Sequence, residues 1–220
     1  MRIRLSRNAR LVRFPASDAV QLEGRLTPAE RDRAVVLCHP HPLYGGSMLT
    51  PVIMTAEQAF QDAGYTTLAF NFRGVGGSEG SHDEGRAEVA DVAGALDFLQ
   101  EALGGIPSTQ VVAGYSFGSM VGGRLAATDP RVSGYLAIAP PLNRYDFAFL
   151  RTASCRIAVI AGSRDDFCDP DRLERLITAL LAPPWVRLLD TDHFFQGTLE
   201  DLAAACRDAV RWLHGETTRT

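Results

Sequence analysis

The chain has 220 residues, 46% hydrophobic and 22% charged, with a formal net charge of -4. That length buries one sizeable core, and the composition is too apolar for a disordered chain and too acidic for the clustered cations of a nucleic-acid binder. All 22 basic residues are arginine, which excludes chemistry built on a Walker A lysine or a lysine Schiff base.

The N-terminal stretch alternates arginine with apolar residues and has no continuous apolar run, so neither a secretory signal nor a membrane anchor is expected. Arg2, Arg4, Arg7, Arg10 and Arg13 read as a solvated strand face rather than a lipid-binding patch. Arg10 to Pro15 and Val20 to Leu26 predict an antiparallel hairpin. From Ala34 onward, strand and helix signals alternate. Short apolar runs at Ala34 to Cys38, Thr66 to Phe70, Gln110 to Ala113, Tyr135 to Ala139, Arg156 to Ala161 and Trp185 to Leu189 have the look of parallel strands buried on both faces. Helical patterns fall between and after them at about 51–62, 85–102, 117–128, 170–181 and 197–214, with Asp169-Pro170 as cap and first turn.

This order predicts a single α/β domain over 1–220, a mostly parallel twisted sheet with helices on both faces. Ligand chemistry in such a sheet belongs on loops at the carboxyl ends of the strands. The segment from Pro141 to Ser154 is too short for a helical cap domain, so an open site is expected. Cys38, Cys155, Cys168 and Cys206 show no paired spacing and read as reduced thiols, which points to the cytoplasm.

Gly114-Tyr115-Ser116-Phe117-Gly118 matches G-x-S-x-G, and it sits where a predicted strand meets a predicted helix. A sharp turn there would lift the serine hydroxyl clear and aim the Phe117 N–H at a developing oxyanion. A serine hydroxyl needs a base, and the chain beyond Ser116 offers His193 and His214. His214 falls on the last helix, whereas His193 follows the last strand at the carboxyl edge. The orienting carboxylate must come from a loop between these two residues. Asp165 is favoured over Asp166 because it lies nearer the end of the strand Arg156 to Ala161, and Asp169 reads as a helix cap.

The first parallel strand runs into His39-Pro40-His41-Pro42-Leu43-Tyr44-Gly45-Gly46. Pro40 and Pro42 have no N–H, which leaves the backbones of His41 and Leu43 as candidates for a second oxyanion donor, with His41 preferred as nearer the strand. His39 and His41 could also face one side of an extended chain as metal ligands, but no partner motif accompanies them, and no metal or cofactor is expected. The loop Asn71-Phe72-Arg73-Gly74-Val75-Gly76-Gly77-Ser78 fails the dinucleotide register because Glu79 stands where a third glycine would be needed. Arg73 is expected to brace carbonyls of the His39 to Gly46 turn. Leu43, Tyr44, Tyr115 and Phe194 are candidates to line an apolar substrate pocket.

Together these stretches resemble the α/β-hydrolase superfamily, in particular its small lidless bacterial serine hydrolases related to dienelactone hydrolases. The family's pattern, which includes HPHP-x-x-GG, N-F-R-G-x-G-x-S and a late D-H-F-F, is matched in order at His39 to Gly46, Asn71 to Ser78, Gly114 to Gly118, Gly162 to Asp165 and Asp192 to Phe195. The resemblance implies a serine hydrolase fold and site; the leading reading of the residues is an acyl-enzyme hydrolase of a small-molecule ester or thioester, with no cofactor and no nucleic-acid or membrane partner expected. Serine stands where dienelactone hydrolases carry cysteine, which argues against lactone opening. A peptidase or amidase, or a non-catalytic binding module on the same fold, remain the alternatives.

Overall fold

The computed structural model describes residues 8–29 and 32–215; Arg2, Arg4 and Arg7 lie outside them. Eight strands form one sheet: β1 (Arg10–Pro15), β2 (Gln21–Thr27), β3 (Arg33–Cys38), β4 (Thr66–Phe70), β5 (Thr109–Tyr115), β6 (Gly134–Ile138), β7 (Arg156–Gly162) and β8 (Trp185–Leu189). Their order is β1-β2-β4-β3-β5-β6-β7-β8, with β1, β2 and β4 paired antiparallel and every other pair parallel. The expected opening hairpin forms, in a register that sets Arg10 against Leu26.

The helices are α1 (Pro51–Asp62), α2 (Glu88–Leu103), α3 (Phe117–Ala126), α4 (Pro170–Thr178) and α5 (Leu199–Leu213). They cover both faces of the sheet, which explains the unbroken apolar runs of the central strands. Ala34, Val36 and Cys38 of β3 pack with α2 and α3, while Val35 and Leu37 pack with α1 and α5. In β6, Tyr135 and Ala137 face the first layer and Leu136 and Ile138 the second. Strand side chains alternate faces, so burial on both sides leaves no polar position to mark the period.

Helix α2 begins at Glu88, three residues later than the sequence pattern suggested. The fully buried Glu88 carboxylate accepts the N–H groups of Asp83 and Gly85, at 2.7 and 2.8 Å, so this stretch closes as a turn instead of a first helical turn. Asp169 caps α4 as expected, its side chain accepting the Arg172 N–H at 2.9 Å. Between β6 and β7 the chain makes only a short 3-10 turn, Ala148–Thr152, so no cap domain rises there. Among the described residues, no helix is long and apolar enough to cross a membrane.

The parallel strands all point their carboxyl ends to one edge. Strand β3 delivers His39 there, β5 Ser116, β7 Asp165, and β8 His193 after a short loop. Strands β3 and β5 are neighbours whose following helices, α1 and α3, lie on opposite faces. A crevice at such a divergence is where open α/β sheets bind ligands.

Candidate active site

Ser116 sits in the turn between β5 and α3 with φ 53° and ψ -120°, a conformation that costs a non-glycine residue roughly 1–3 kcal/mol. The flanking glycines are required sterically. A Cβ at Gly118 would stand 2.2 Å from the Cys38 carbonyl oxygen, and one at Gly114 would stand 2.3 Å from the Gly118 carbonyl oxygen. Their absence lets the first turn of α3 press against the end of β3. Two hydrogen bonds hold the turn: the Ser116 N–H donates to Ile138 O at 2.9 Å, and the Ser119 hydroxyl donates to Ser116 O at 2.6 Å.

His193 brings its Nε2 to 2.9 Å from Ser116 Oγ and its Nδ1 to 2.8 Å from Asp165 Oδ2. The carboxylate can only accept, so Nδ1 carries the hydrogen and Nε2 presents a lone pair to the hydroxyl. The Asp165 side chain is fully buried, and its other oxygen accepts the Phe167 N–H at 2.8 Å. Asp166 is exposed, and its contact with the neighbouring loop is through its backbone carbonyl, which accepts from Asn143 Nδ2 at 2.9 Å. The imidazole is packed by Phe167, with ring centroids 4.6 Å apart, and edge-on by Phe194 at 5.4 Å.

The backbone N–H groups of His41, after β3, and of Phe117, at the start of α3, are among those with no acceptor in the described residues. Phe117 is the first residue of α3, where a helix leaves its N–H groups unpaired. The Leu43 N–H is engaged, donating to His41 Nδ1 at 3.2 Å. The Tyr44 and Gly46 N–H groups both turn back to His41 O at 3.1 Å. Gly46 permits that turn, since a Cβ there would meet Pro40 O at 2.1 Å.

The brace behind this loop is His39, not Arg73. His39 is fully buried, with Nδ1 donating to Pro40 O at 2.6 Å and Nε2 accepting the Phe72 N–H at 3.0 Å. Burial pushes its pKa down to about 4, so the ring stays neutral, as a donor-acceptor bridge requires. Arg73 instead turns to Asp91 and Asp18, its Nε donating to Asp91 Oδ1 at 2.9 Å and its NH2 group to Asp18 Oδ2 at 2.9 Å. Two carboxylates outcompete neutral carbonyls for a guanidinium. Nor do His39 and His41 share a side: the His41 ring lies outside the core, 4.9 Å from the Phe117 ring and 4.8 Å from that of His82. Burial and the neighbouring His82 lower the His41 pKa.

The expected pocket residues divide. Leu43, Tyr44 and Phe194 are exposed, at 69%, 87% and 58%, and stand at the rim. Tyr115 does not line a pocket: it is buried, and its hydroxyl donates to the His193 carbonyl at 3.0 Å from beneath. A residue in a strand that continues into the elbow must follow the sheet's alternation, and here that sends the ring into the core. Sequence reasoning missed Phe167, Tyr145 and His82. Phe167 packs on the imidazole, Tyr145 meets the Phe117 ring edge-on with centroids 6.2 Å apart, and His82 lies tilted against it at 5.4 Å. A cleft of about 450 Å³ opens alongside, lined by Arg144, Tyr145 and Arg172 among others, with the Arg144 guanidinium 5.6 Å from the centre of the Phe167 ring.

A strand-loop-helix elbow carrying Ser116 on this sheet defines an α/β hydrolase fold, and residues 34–167, more than half of the chain, match the family of that name; the chain belongs to it. An uncharacterized protein of Rickettsia prowazekii is 35% identical over 199 residues, covering 86% of this chain and 83% of that one. Among solved structures, a protein of unknown function from Agrobacterium tumefaciens, provisionally placed among the α/β hydrolases, is 34% identical with a TM-score of 0.86, covering 94% of this chain and 98% of its own. A lidless serine hydrolase from Xanthomonas campestris is 29% identical with a TM-score of 0.83, covering 94% and 96%.

Proposed function

We propose that the chain is a serine hydrolase that cleaves ester or thioester bonds of small substrates through an acyl-enzyme on Ser116. The observation that carries this reading is the contact of Ser116 Oγ with His193 Nε2 at 2.9 Å, with the opposite ring nitrogen on Asp165 at 2.8 Å. His193 takes the hydroxyl proton as Ser116 attacks the carbonyl, and Asp165 stabilises the resulting imidazolium. His193 then returns the proton to the leaving group, and a water activated by the same ring releases the acyl group. The free N–H groups of Phe117 and His41 hold the oxyanion, each contributing on the order of 3 kcal/mol. The similarity to a lidless serine hydrolase supports the same assignment.

With no cap over the edge of the sheet, the site takes short acyl groups in preference to long ones, and acetyl or butyryl esters turn over faster than palmitoyl esters. The four cysteines are free, and Cys38, Cys168 and Cys206 are buried, in keeping with a reducing compartment such as the cytoplasm. A fluorophosphonate probe tests the central claim. One adduct per chain is expected on the wild type and none on folded Ser116→Ala. Absence of labelling in the folded wild type would remove the hydrolase reading and favour a binding module.

A further inference from the structure

Beside Phe117, the loop before α2 meets the turn after β3 and brings together His41, His82 and Glu84. One potential ligand atom from each, a ring nitrogen or a carboxylate oxygen, lies within 4.8 Å of the other two. These residues come from two separate loops, and the mechanism above gives no task to His82 or Glu84.

His82 is the unusual member. Its side chain is only 9% exposed; Nδ1 is paired with Glu88 Oε1 at 2.7 Å, while Nε2 is buried with no hydrogen-bond partner. A ring nitrogen buried without a hydrogen bond loses its hydration uncompensated. Glu88 is held by two backbone N–H groups, so it stands as a fixed carboxylate behind Nδ1. Nε2 lies on the other side of the ring, 3.7 Å from Glu84 Oε1. A histidine backed by a carboxylate at one nitrogen, with the other left open, has the arrangement by which proteins orient a metal ligand. Glu84 itself is in the left-handed region at φ 55°, followed by Gly85 at φ 82°. Such strain in a non-glycine residue persists where the surroundings impose it and clusters at ligand sites.

We propose that His41, His82 and Glu84 form a site for a late first-row divalent cation, with Zn²⁺ as the ion of choice. Two imidazoles and one carboxylate are the donors of zinc, nickel and copper sites, whereas magnesium and calcium take oxygen ligands. Tetrahedral zinc with bonds of about 2.1 Å sets its ligand atoms roughly 3.4 Å apart. The cluster closes to that spacing chiefly by movement of Glu84, whose side chain is 64% exposed, and of the half-buried His41.

Occupancy is coupled to the oxyanion loop through His41, a consequence that rests on the function proposed above. His41 Nδ1 accepts the Leu43 N–H. An ion on Nδ1 takes that lone pair, and an ion on Nε2 drives the ring proton onto Nδ1, where it opposes the Leu43 N–H. Either way the Leu43 N–H loses its acceptor, and the ring, now held by the ion, pulls on the turn that the Tyr44 and Gly46 N–H groups close on His41 O, which shifts the backbone N–H of His41. The bound ion therefore lowers turnover.

The test uses the full chain stripped with chelator and titrated with Zn²⁺ by calorimetry, with metal content measured after dialysis. One Zn²⁺ per chain with micromolar affinity is expected, and no uptake of Mg²⁺. Both His82→Gln and the exposed-site variant Glu84→Gln should bind at least about tenfold more weakly. No uptake at 100 micromolar Zn²⁺, about a hundredfold above the affinity expected, overturns the site, as does wild-type affinity in Glu84→Gln. Metal-free Glu84→Gln should hydrolyse a short ester at the wild-type rate and resist Zn²⁺, while the wild type is inhibited. Stoichiometric binding with unchanged turnover overturns the coupling to the loop. A chain that binds Zn²⁺ but hydrolyses no ester refutes the hydrolase reading and leaves the metal site standing.

Discussion

The elbow that carries Ser116 and the paired loops around His41 face each other at the same edge of the sheet, yet they are built in opposite ways. The elbow is compact in sequence: two missing Cβ atoms and one strained φ within Gly114 to Gly118 make the turn, and it leans only on the ends of the adjacent strands β3 and β6 and on Ser119. The loops are assembled across the chain, with His39 reaching Phe72, Asn71 reaching Met48 and Glu23, and His41 meeting His82. A local device tolerates change elsewhere so long as its own residues are kept. A distributed one depends on the charge and packing of partners far away in sequence.

The largest effect should follow from breaking the contact that orients the base beside Ser116. Asp165→Asn can present an amide N–H to His193 Nδ1, which favours the wrong tautomer and places a hydrogen on Nε2 towards Ser116. Turnover of a nitrophenyl acetate ester should fall by about 10³–10⁴-fold, with little change in KM. Asp166→Asn should stay within about twofold, because its carboxylate is solvated and makes no contact with the ring. A larger loss in Asp166→Asn would reverse the assignment of the acid.

The oxyanion loop gives a smaller effect, and it separates backbone from side chain. His41 has φ -53° and ψ 124°, which proline accepts. His41→Pro deletes the N–H while His41→Ala keeps it. His41→Pro should lose about 10²–10³-fold in kcat, as expected for removal of one oxyanion donor, and His41→Ala far less. Equal losses in the two variants would move the donor's role to Leu43 or to the imidazole.

What the sequence made legible follows the same division. The parallel strands, the helices and the G-x-S-x-G turn could be read because periodicity and a five-residue spacing carry them. Asp165 was separable from Asp166 only by its distance from the strand end. The structure adds a physical reason, the buried carboxylate that also takes the Phe167 N–H. Arg73 was misjudged because its partners, Asp91 and Asp18, lie on a helix and in a hairpin turn with no motif to link them. Tyr115 was misjudged because adjacency to Ser116 in sequence says nothing about which face of the sheet its ring takes. His82 and Glu84 left no signal, since they meet His41 only through the turn that Glu88 folds.

A last effect, on stability rather than turnover, distinguishes the two regions by pH. The fully buried His39 bridges the two loops only as a neutral ring, and burial lowers its pKa from 6.5 to about 4. Below pH 6.5 the unfolded chain takes up a proton that the folded chain refuses until about pH 4. The unfolded state therefore binds more protons in this window, and stability falls as the pH drops through it. The contribution is complete above pH 6.5 and amounts to about 3 kcal/mol, lost progressively by pH 4. His39→Gln offers an acceptor to the Phe72 N–H but does not titrate. Urea unfolding from pH 7.5 to 4 should show a shallower decline in this variant than in the wild type, by most of that amount. Equal slopes would mean that His39 protonates without opening the bridge, and the loop would then be as self-contained as the elbow.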